Sequence, residues 1–278
     1  MNQLLAAADT INTKLTLSSE VCARFASDGF VHLEGVLSSA EVNGWRQVIT
    51  DSARARNTET RPLEERDTYD RAFLQTMNLW ESDPEVRRFV FSRRLAAIAR
   101  DLLQVEGVRL YHDQALFKES GGGHTPWHAD QHYWPLGSDR VVTAWVPLVD
   151  VPLEMGPLAF ARRSQSLADG RGLKIGDESE AQIGRLLADS RIEVVEEPFA
   201  AGDVSFHLGW TFHRAGANRT GHERSVMTMI YMDRDMLLRE PENVEQERDR
   251  ARWCPGVEVG SVCDSELNPL LAGSSREK

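Results

Sequence analysis

His128 and Asp130 stand one residue apart in Trp127-His128-Ala129-Asp130, and His213 and then Arg224 follow much later in the chain. Two histidines and one carboxylate, with no cysteine nearby, are the donor set of a non-haem Fe(II) site that keeps coordination positions open. On a strand, the i, i+2 spacing turns His128 and Asp130 to one face; on a helix they would lie about 200 degrees apart. Gly121-Gly122-Gly123 and Pro126 oppose a helix here. The competing reading of an isolated His-x-Asp is a polar pair at a strand end. The distal stretch His213-Arg-Ala-Gly-Ala-Asn218-Arg-Thr-Gly-His-Glu-Arg224 outweighs it.

A third ligand must come from elsewhere in the fold, and His213 ends a strand-like segment. His207 is its rival, because both fall near the end of one predicted strand; otherwise His207 lines the pocket or packs in the core. His124 and His128 have the i, i+4 spacing of helical zinc sites, but no glutamate adjoins His124. His112, His132 and His222 carry no spacing signal of their own. Arg224 can grip a carboxylate in a bidentate, permanently charged way. Carried back from the metal on a strand, it would meet the far end of a dicarboxylate that chelates iron.

The elements that must position these groups follow from the pattern of capping residues and hydrophobic periodicity. Ser18-Ser19-Glu20 caps a helix that ends at Asp28-Gly29, and Phe30–Leu33 is a short strand. Ser38 or Ser39 caps a second helix over about 40–56, with Val42, Trp45, Val48 and Ile49 inward. The charged segment 57–70 reads as a loop placed to close over something. Asp83-Pro84 opens a helix running to about Leu103. From Gly107 the period becomes two. Arg109–Lys118 puts Leu110, His112, Gln114, Leu116 and Lys118 on one face, and Val141–Leu148 groups Val141, Thr143 and Trp145. Gly202-Asp203 turns into Val204–Leu208, and Arg224–Met232 groups Arg224, Val226, Thr228 and Ile230. A helix is inserted over about 177–190; beyond Asp235 comes a charged segment, 240–252, then turns and a polar tail from Ala272. Helices first and strands later describe one α+β domain over residues 1–278, built around an antiparallel sheet or barrel.

A net charge of −11 argues against a nucleic-acid partner, which needs a basic surface. Cys22, Cys254 and Cys263 are too few and scattered for a disulfide framework or zinc cluster, and fit a reducing cytoplasm. Met1–Asp9 lacks a basic start and a sufficient apolar run, so no signal peptide is expected. No stretch approaches eighteen apolar residues, so no membrane span is expected either. Oligomeric state has no signature in the sequence.

With these residues in view, the chain resembles the phytanoyl-CoA dioxygenase family of Fe(II)/2-oxoglutarate-dependent oxygenases over about residues 17–271. The likeness is strongest at Pro126–Asp130, Thr143-Ala144-Trp145, Met155-Gly156-Pro157-Leu158 and His213–Arg224. It implies a double-stranded β-helix (jelly-roll) core flanked by N-terminal and inserted helices. It also implies His128, Asp130 and His213 as iron ligands, Arg224 on the distal carboxylate of 2-oxoglutarate, and O2 as the second co-substrate. Gln114, Lys118, Trp145 and Thr143 match positions near the co-substrate, with core packing or sheet polarity as the competing reading. Phe73, Met77, Phe117, His132, Tyr133 and Trp134 are candidates for an aromatic-rich substrate mouth.

After Leu158 the family's Pro-Gly-Ser-His-like turn is replaced by Ala161-Arg162-Arg163-Ser164-Gln165, a departure expected to bear on substrate preference. Tyr111–Glu119 and His132-Tyr-Trp-Pro-Leu136 look most like bacterial members that tailor secondary metabolites. The expected reaction is oxidation of an unactivated C–H bond of a small molecule, with succinate and CO2 as co-products. Cyclisation or epimerisation of a polyketide-type substrate is the alternative, and a non-oxidative cupin-like metal enzyme a further one.

Overall fold

The computed structural model describes residues 10–13 and 15–273, so the Met1–Asp9 segment and the tail beyond Gly273 lie outside the described residues. The N-terminal half is helical for local reasons. In α1 (Ser19–Asp28) the Ser18 hydroxyl accepts from Val21 N–H, and Gly29 ends the helix at φ 86°, a conformation natural to glycine. In α2 (Ser39–Arg56) Ser38 and Glu41 form a reciprocal capping box. The expected helix from Pro84 to Leu103 is broken. Between α4 (Pro84–Val90) and α5 (Arg93–Leu103), Ser92 caps Leu95 N–H and donates its own hydroxyl proton to Ile11 O at 3.0 Å. A tertiary hydrogen bond has overridden an otherwise continuous helical pattern. The short α3 (Leu79–Ser82) precedes them, its first N–H groups accepted by the buried Asp113 carboxylate.

Two antiparallel sheets follow. The larger runs β1 (Phe30–Leu33), β8 (Val204–Leu208), β5 (Val141–Pro147), β10 (Arg224–Asp233), β3 (Val108–Lys118) and β11 (Leu270–Ala272), with β2 (Leu74–Met77) also on β3. The smaller runs β4 (Thr125–His128), β9 (His213–Ala215), β6 (Leu158–Ala161) and β7 (Val194–Glu196). Alternation along the strands sorts the large sheet's side chains. Val142, Ala144, Val146, Met227, Met229, Ala115 and Phe117 join Trp45, Phe89 and Leu95 in the core under the helices. Thr143, Trp145, Thr228, Gln114 and Leu116 face the other way and line a cavity.

The expected common face of β3 holds only from His112 onward. A bulge pairs Ile230 with His112 but Tyr231 with Leu110, so Leu110 joins the helix-side core while Tyr111 packs with Trp134 and Ile230. Two helices complete the frame: α6 (Asp177–Asp189), where an insertion was expected, and α7 (Val244–Trp253), where only a charged segment was read. No helix among the described residues is long and apolar enough to cross a membrane.

Candidate metal centre

His128 closes β4 and stands directly opposite His213, the first residue of β9. Their rings lie 4.1 Å apart between centroids. Ala129 keeps extended backbone, φ −121° and ψ 130°, before Asp130 begins a short 3-10 turn, so Asp130 emerges on the same side as His128. One nitrogen from each histidine and one oxygen from Asp130 lie within 4.8 Å of one another.

The hydrogen bonds set the tautomers. His128 Nδ1 faces Pro126 O at 2.8 Å and His213 Nδ1 faces Thr211 O at 3.0 Å. A carbonyl can only accept, so each Nδ1 carries the proton and each Nε2 offers a lone pair. Those Nε2 atoms stand 3.5 and 3.6 Å from Asp130 Oδ1. Burial alone would raise the Asp130 pKa, but His213, His128 and His207 around it hold the carboxyl well below the usual range. Burial, then the neighbouring histidines, push His213 well below the ordinary histidine value. An ionised carboxylate and neutral imidazoles are the protonation states a metal requires.

His207 takes a different part. It lies on β8 of the large sheet, not on one strand with His213, and its Nε2 meets Asp130 Oδ2 at 3.2 Å. Thr143 Oγ1 donates to the same oxygen at 2.8 Å. His207 Nδ1 is buried without a partner, so Nε2 carries the proton and is spent on the carboxylate. Thr143, placed near the co-substrate by the resemblance, lines the cavity and also touches Asp130. His124 is exposed on irregular backbone, which removes the helical zinc reading.

Arg224, 1 % exposed, opens β10 and shares the cavity with these ligands. It donates to Gly156 O through Nη1, stacks 5.5 Å from the Trp145 ring centroid, and leaves Nε buried without a partner. Burial brings its pKa down to about 9. Behind it Lys118, fully buried, donates to Gly123 O and faces Thr125 Oγ1. Burial and then Arg224 depress Lys118 to about 6. Lys118 does not reach the cavity; Gln114 does, with its Oε1 accepting from Gln75. Asn218 shows why the distal motif carries an asparagine: its buried amide donates to Lys118 O and His222 O, tying the approach to β10 onto the end of β3.

The cavity holds about 470 Å³. Phe73, Met77, Tyr133 and Trp134 line it as expected, whereas Phe117 and His132 do not. Phe117 has the opposite strand parity and lies in the helix-side core. His132 turns its Nδ1 to Arg171 O, in a wall behind the cavity. The 57–70 loop does close over the site, bringing Asp67 and Tyr69 to the lining and bonding Thr68 to Asp177 of α6. The unusual 161–165 turn lies outside the cavity wall, and none of its residues lines the cavity. Ser164 Oγ accepts from Phe212 N–H beside His213, and Gln165 donates to the last carbonyls of α1. It braces the scaffold instead of shaping the chamber. Among the lining residues with no motif to mark them are His112, Lys174, Ile175 and Asp249.

Comparison with known proteins converges on the same chemistry. Residues 25–226 match the family described as phytanoyl-CoA dioxygenase (PhyH). No curated protein sequence matches the chain. The crystal structure of the non-heme alpha ketoglutarate dependent carbocyclase SnoK from nogalamycin biosynthesis is 26% identical, with TM-score 0.75 over 94% of this chain and 100% of that one. The epimerase SnoN in complex with Fe3+, alpha ketoglutarate and nogalamycin RO is 29% identical, with TM-score 0.72 over 91% and 98%. EctD from S. alaskensis with 2-oxoglutarate and 5-hydroxyectoine, at 20% identity and TM-score 0.71 over 90% and 89%, shares the fold.

Proposed function

This chain belongs to the phytanoyl-CoA dioxygenase family, and from that premise we propose that His128, Asp130 and His213 hold its Fe(II) while Arg224 anchors 2-oxoglutarate. The enzyme is an Fe(II)/2-oxoglutarate-dependent oxygenase that oxidises a C–H bond of a small molecule and releases succinate and CO2. One observation carries the assignment of residues. A two-nitrogen, one-oxygen donor set shares a cavity with Arg224, a buried cation that no carboxylate pairs with among the described residues. A buried cation without an anion is costly, and the pKa of the buried Lys118 behind it, depressed to about 6, reflects the same want of an anion. A dicarboxylate held by the metal and by Arg224 would supply that anion.

The two facing sheets are read as the double-stranded β-helix core, in one domain with its flanking helices. When bound, the metal with its co-substrates supplies the oxidising power; the chain supplies position and dryness. His128 and His213 present Nε2 because their Nδ1 protons are held by carbonyls. Thr143 and His207 hold Oδ2 of Asp130, leaving Oδ1 for the ion. Trp145 stacks on Arg224 and closes its far side to water. Tyr133, Trp134 and Phe73 make the chamber apolar around the bond to be oxidised. The three cysteines, free of disulfides, suit a reducing compartment such as the cytoplasm, and the acidic balance argues against a nucleic-acid substrate.

Anaerobic titration with Fe(II) and 2-oxoglutarate tests this reading. A weak metal-to-ligand charge-transfer band is expected in the wild type and not in His128→Ala; its absence from the wild type overturns the assignment. Cyclisation or epimerisation at the same centre is the second reading, favoured by the likeness to SnoK and SnoN. Product analysis decides between hydroxylation and these outcomes.

A further inference from the structure

The cavity has an inner wall that the metal chemistry does not use. It is made by α7, which rests on the turn that begins at Asp130. Gln246 Nε2 donates to His132 O at 3.0 Å and fastens the helix there. Gln246, Asp249 and Trp253 recur at the three- and four-residue spacing that puts side chains on one helical face. Asp249 lines the cavity. The Tyr111 hydroxyl and the Trp253 indole N–H, buried and with no other partner, face its carboxyl as donors. His112, 1 % exposed, also lines the cavity and leaves Nδ1 unpartnered. Its ring packs 4.8 Å from Trp253 and 5.1 Å from Tyr111.

Among the described residues Asp249 forms no ion pair. Of the basic groups near the wall, Lys174 pairs with Glu245 at 3.1 Å, and Arg252, exposed and 4.3 Å from the Trp253 ring centroid, acts on the Asp249 carboxyl by charge without forming an ion pair with it. A carboxylate without an ion pair, in a chamber walled by Tyr69, Phe73, Tyr133 and Trp134, is the chemistry that recognises an ammonium group, by charge and by the negative faces of the rings. Taking this chamber as the substrate site of the proposed oxygenase, we infer that Asp249 and His112 form a recognition subsite for a protonated amine. The substrate is then an amine-bearing small molecule whose oxidised carbon faces His128, Asp130 and His213. Burial pushes the Asp249 carboxyl up to about 7, and a bound cation would hold it ionised. The same wall would repel a polyanionic substrate such as a phosphorylated thioester.

Cyclohexylamine, cyclohexanol and cyclohexanecarboxylate test the inference as a cation, a neutral and an anion of one shape. Their binding to the full chain is measured by calorimetry and saturation-transfer NMR, with and without Fe(II) and 2-oxoglutarate. The amine should bind about ten-fold or more tighter than the alcohol, as a charge-assisted hydrogen bond provides, and the carboxylate weakest. Asp249→Asn should erase the amine preference, and Glu247→Gln on the exposed face of α7 should keep it. Equal binding of amine and alcohol, no binding by any of the three, or a preference that survives Asp249→Asn overturns the inference. So does a preference seen only with metal present, since the amine is then a metal ligand. The charge-transfer band, recorded on the same samples, reports the oxygenase reading separately and shows whether Asp249→Asn is folded.

Discussion

Thr143 Oγ1 donates to Asp130 Oδ2 at 2.8 Å, on the oxygen that neither His128 nor His213 faces. With His207 at 3.2 Å on the same atom, the carboxylate is held from behind. Partners of this kind set ligand orientation, and their removal weakens metal binding by about 10- to 100-fold. Thr143→Val and His207→Phe should each lower Fe(II) or Co(II) affinity by that order, read by metal titration. His213→Ala should abolish it. Equal loss in His207→Phe and His213→Ala would make His207 a ligand.

Arg224 should act on the co-substrate alone. Arg224→Gln removes a buried charge that has no other carboxylate to meet, so 2-oxoglutarate affinity should fall about 100-fold or more. Metal affinity should stay within a factor of about three. Titration of the charge-transfer band gives the first quantity and Co(II) absorbance the second. Full activity in Arg224→Gln would instead favour a metal enzyme that needs no dicarboxylate.

Gly156 supports that arginine. Its φ is 70°, its carbonyl accepts from Arg224, and an added Cβ would lie 2.1 Å from Gly216 O. Gly156→Ala therefore forces either the turn or Gly216 to move. We expect a loss of about 1–3 kcal/mol in stability, seen as a lower melting temperature. Weaker 2-oxoglutarate binding should accompany it.

Lys118 makes a pH prediction with a definite sign. Its folded pKa is near 6, well below the ordinary lysine value, because burial and Arg224 oppose its charge. The unfolded chain thus binds more protons between pH 6 and about 10, and this group's contribution to stability rises with pH across that window. Lys118→Met should flatten the rise in melting temperature relative to wild type. Binding 2-oxoglutarate should draw a proton onto Lys118. Calorimetry in buffers of different ionisation enthalpy would show uptake near pH 7.5; release or no exchange would refute the coupling.

The residues that form the metal cluster were legible because strand parity needs only two adjacent positions and an extended Ala129 between them. The ends of α1, α2 and β8 were legible for a similar reason: Ser18, Ser38 and Gly202 act within a few residues of themselves. What failed depended on remote partners. Ile11 splits the helix at Ser92, and Tyr231 imposes the bulge that turns Leu110 away from His112. Helix α7 was hidden because its footprint consists of Gln246, Asp249 and Trp253, which do not read as an apolar stripe. Asn243, three residues before Gln246 and accepting its N–H at 2.8 Å, was the available signal for its start.

The two carbonyls that orient the ligand histidines come from residues only two positions earlier, Pro126 for His128 and Thr211 for His213. Each imidazole is therefore aimed by its own stretch of chain, before any ion arrives. A socket assembled in advance does little to discriminate among divalent cations of similar size. Intrinsic affinity then follows the general order in which copper, nickel and zinc exceed iron. Which ion occupies this enzyme is thus left to the supply around the folding chain, and a preparation made in zinc- or nickel-rich medium would be well folded and inert.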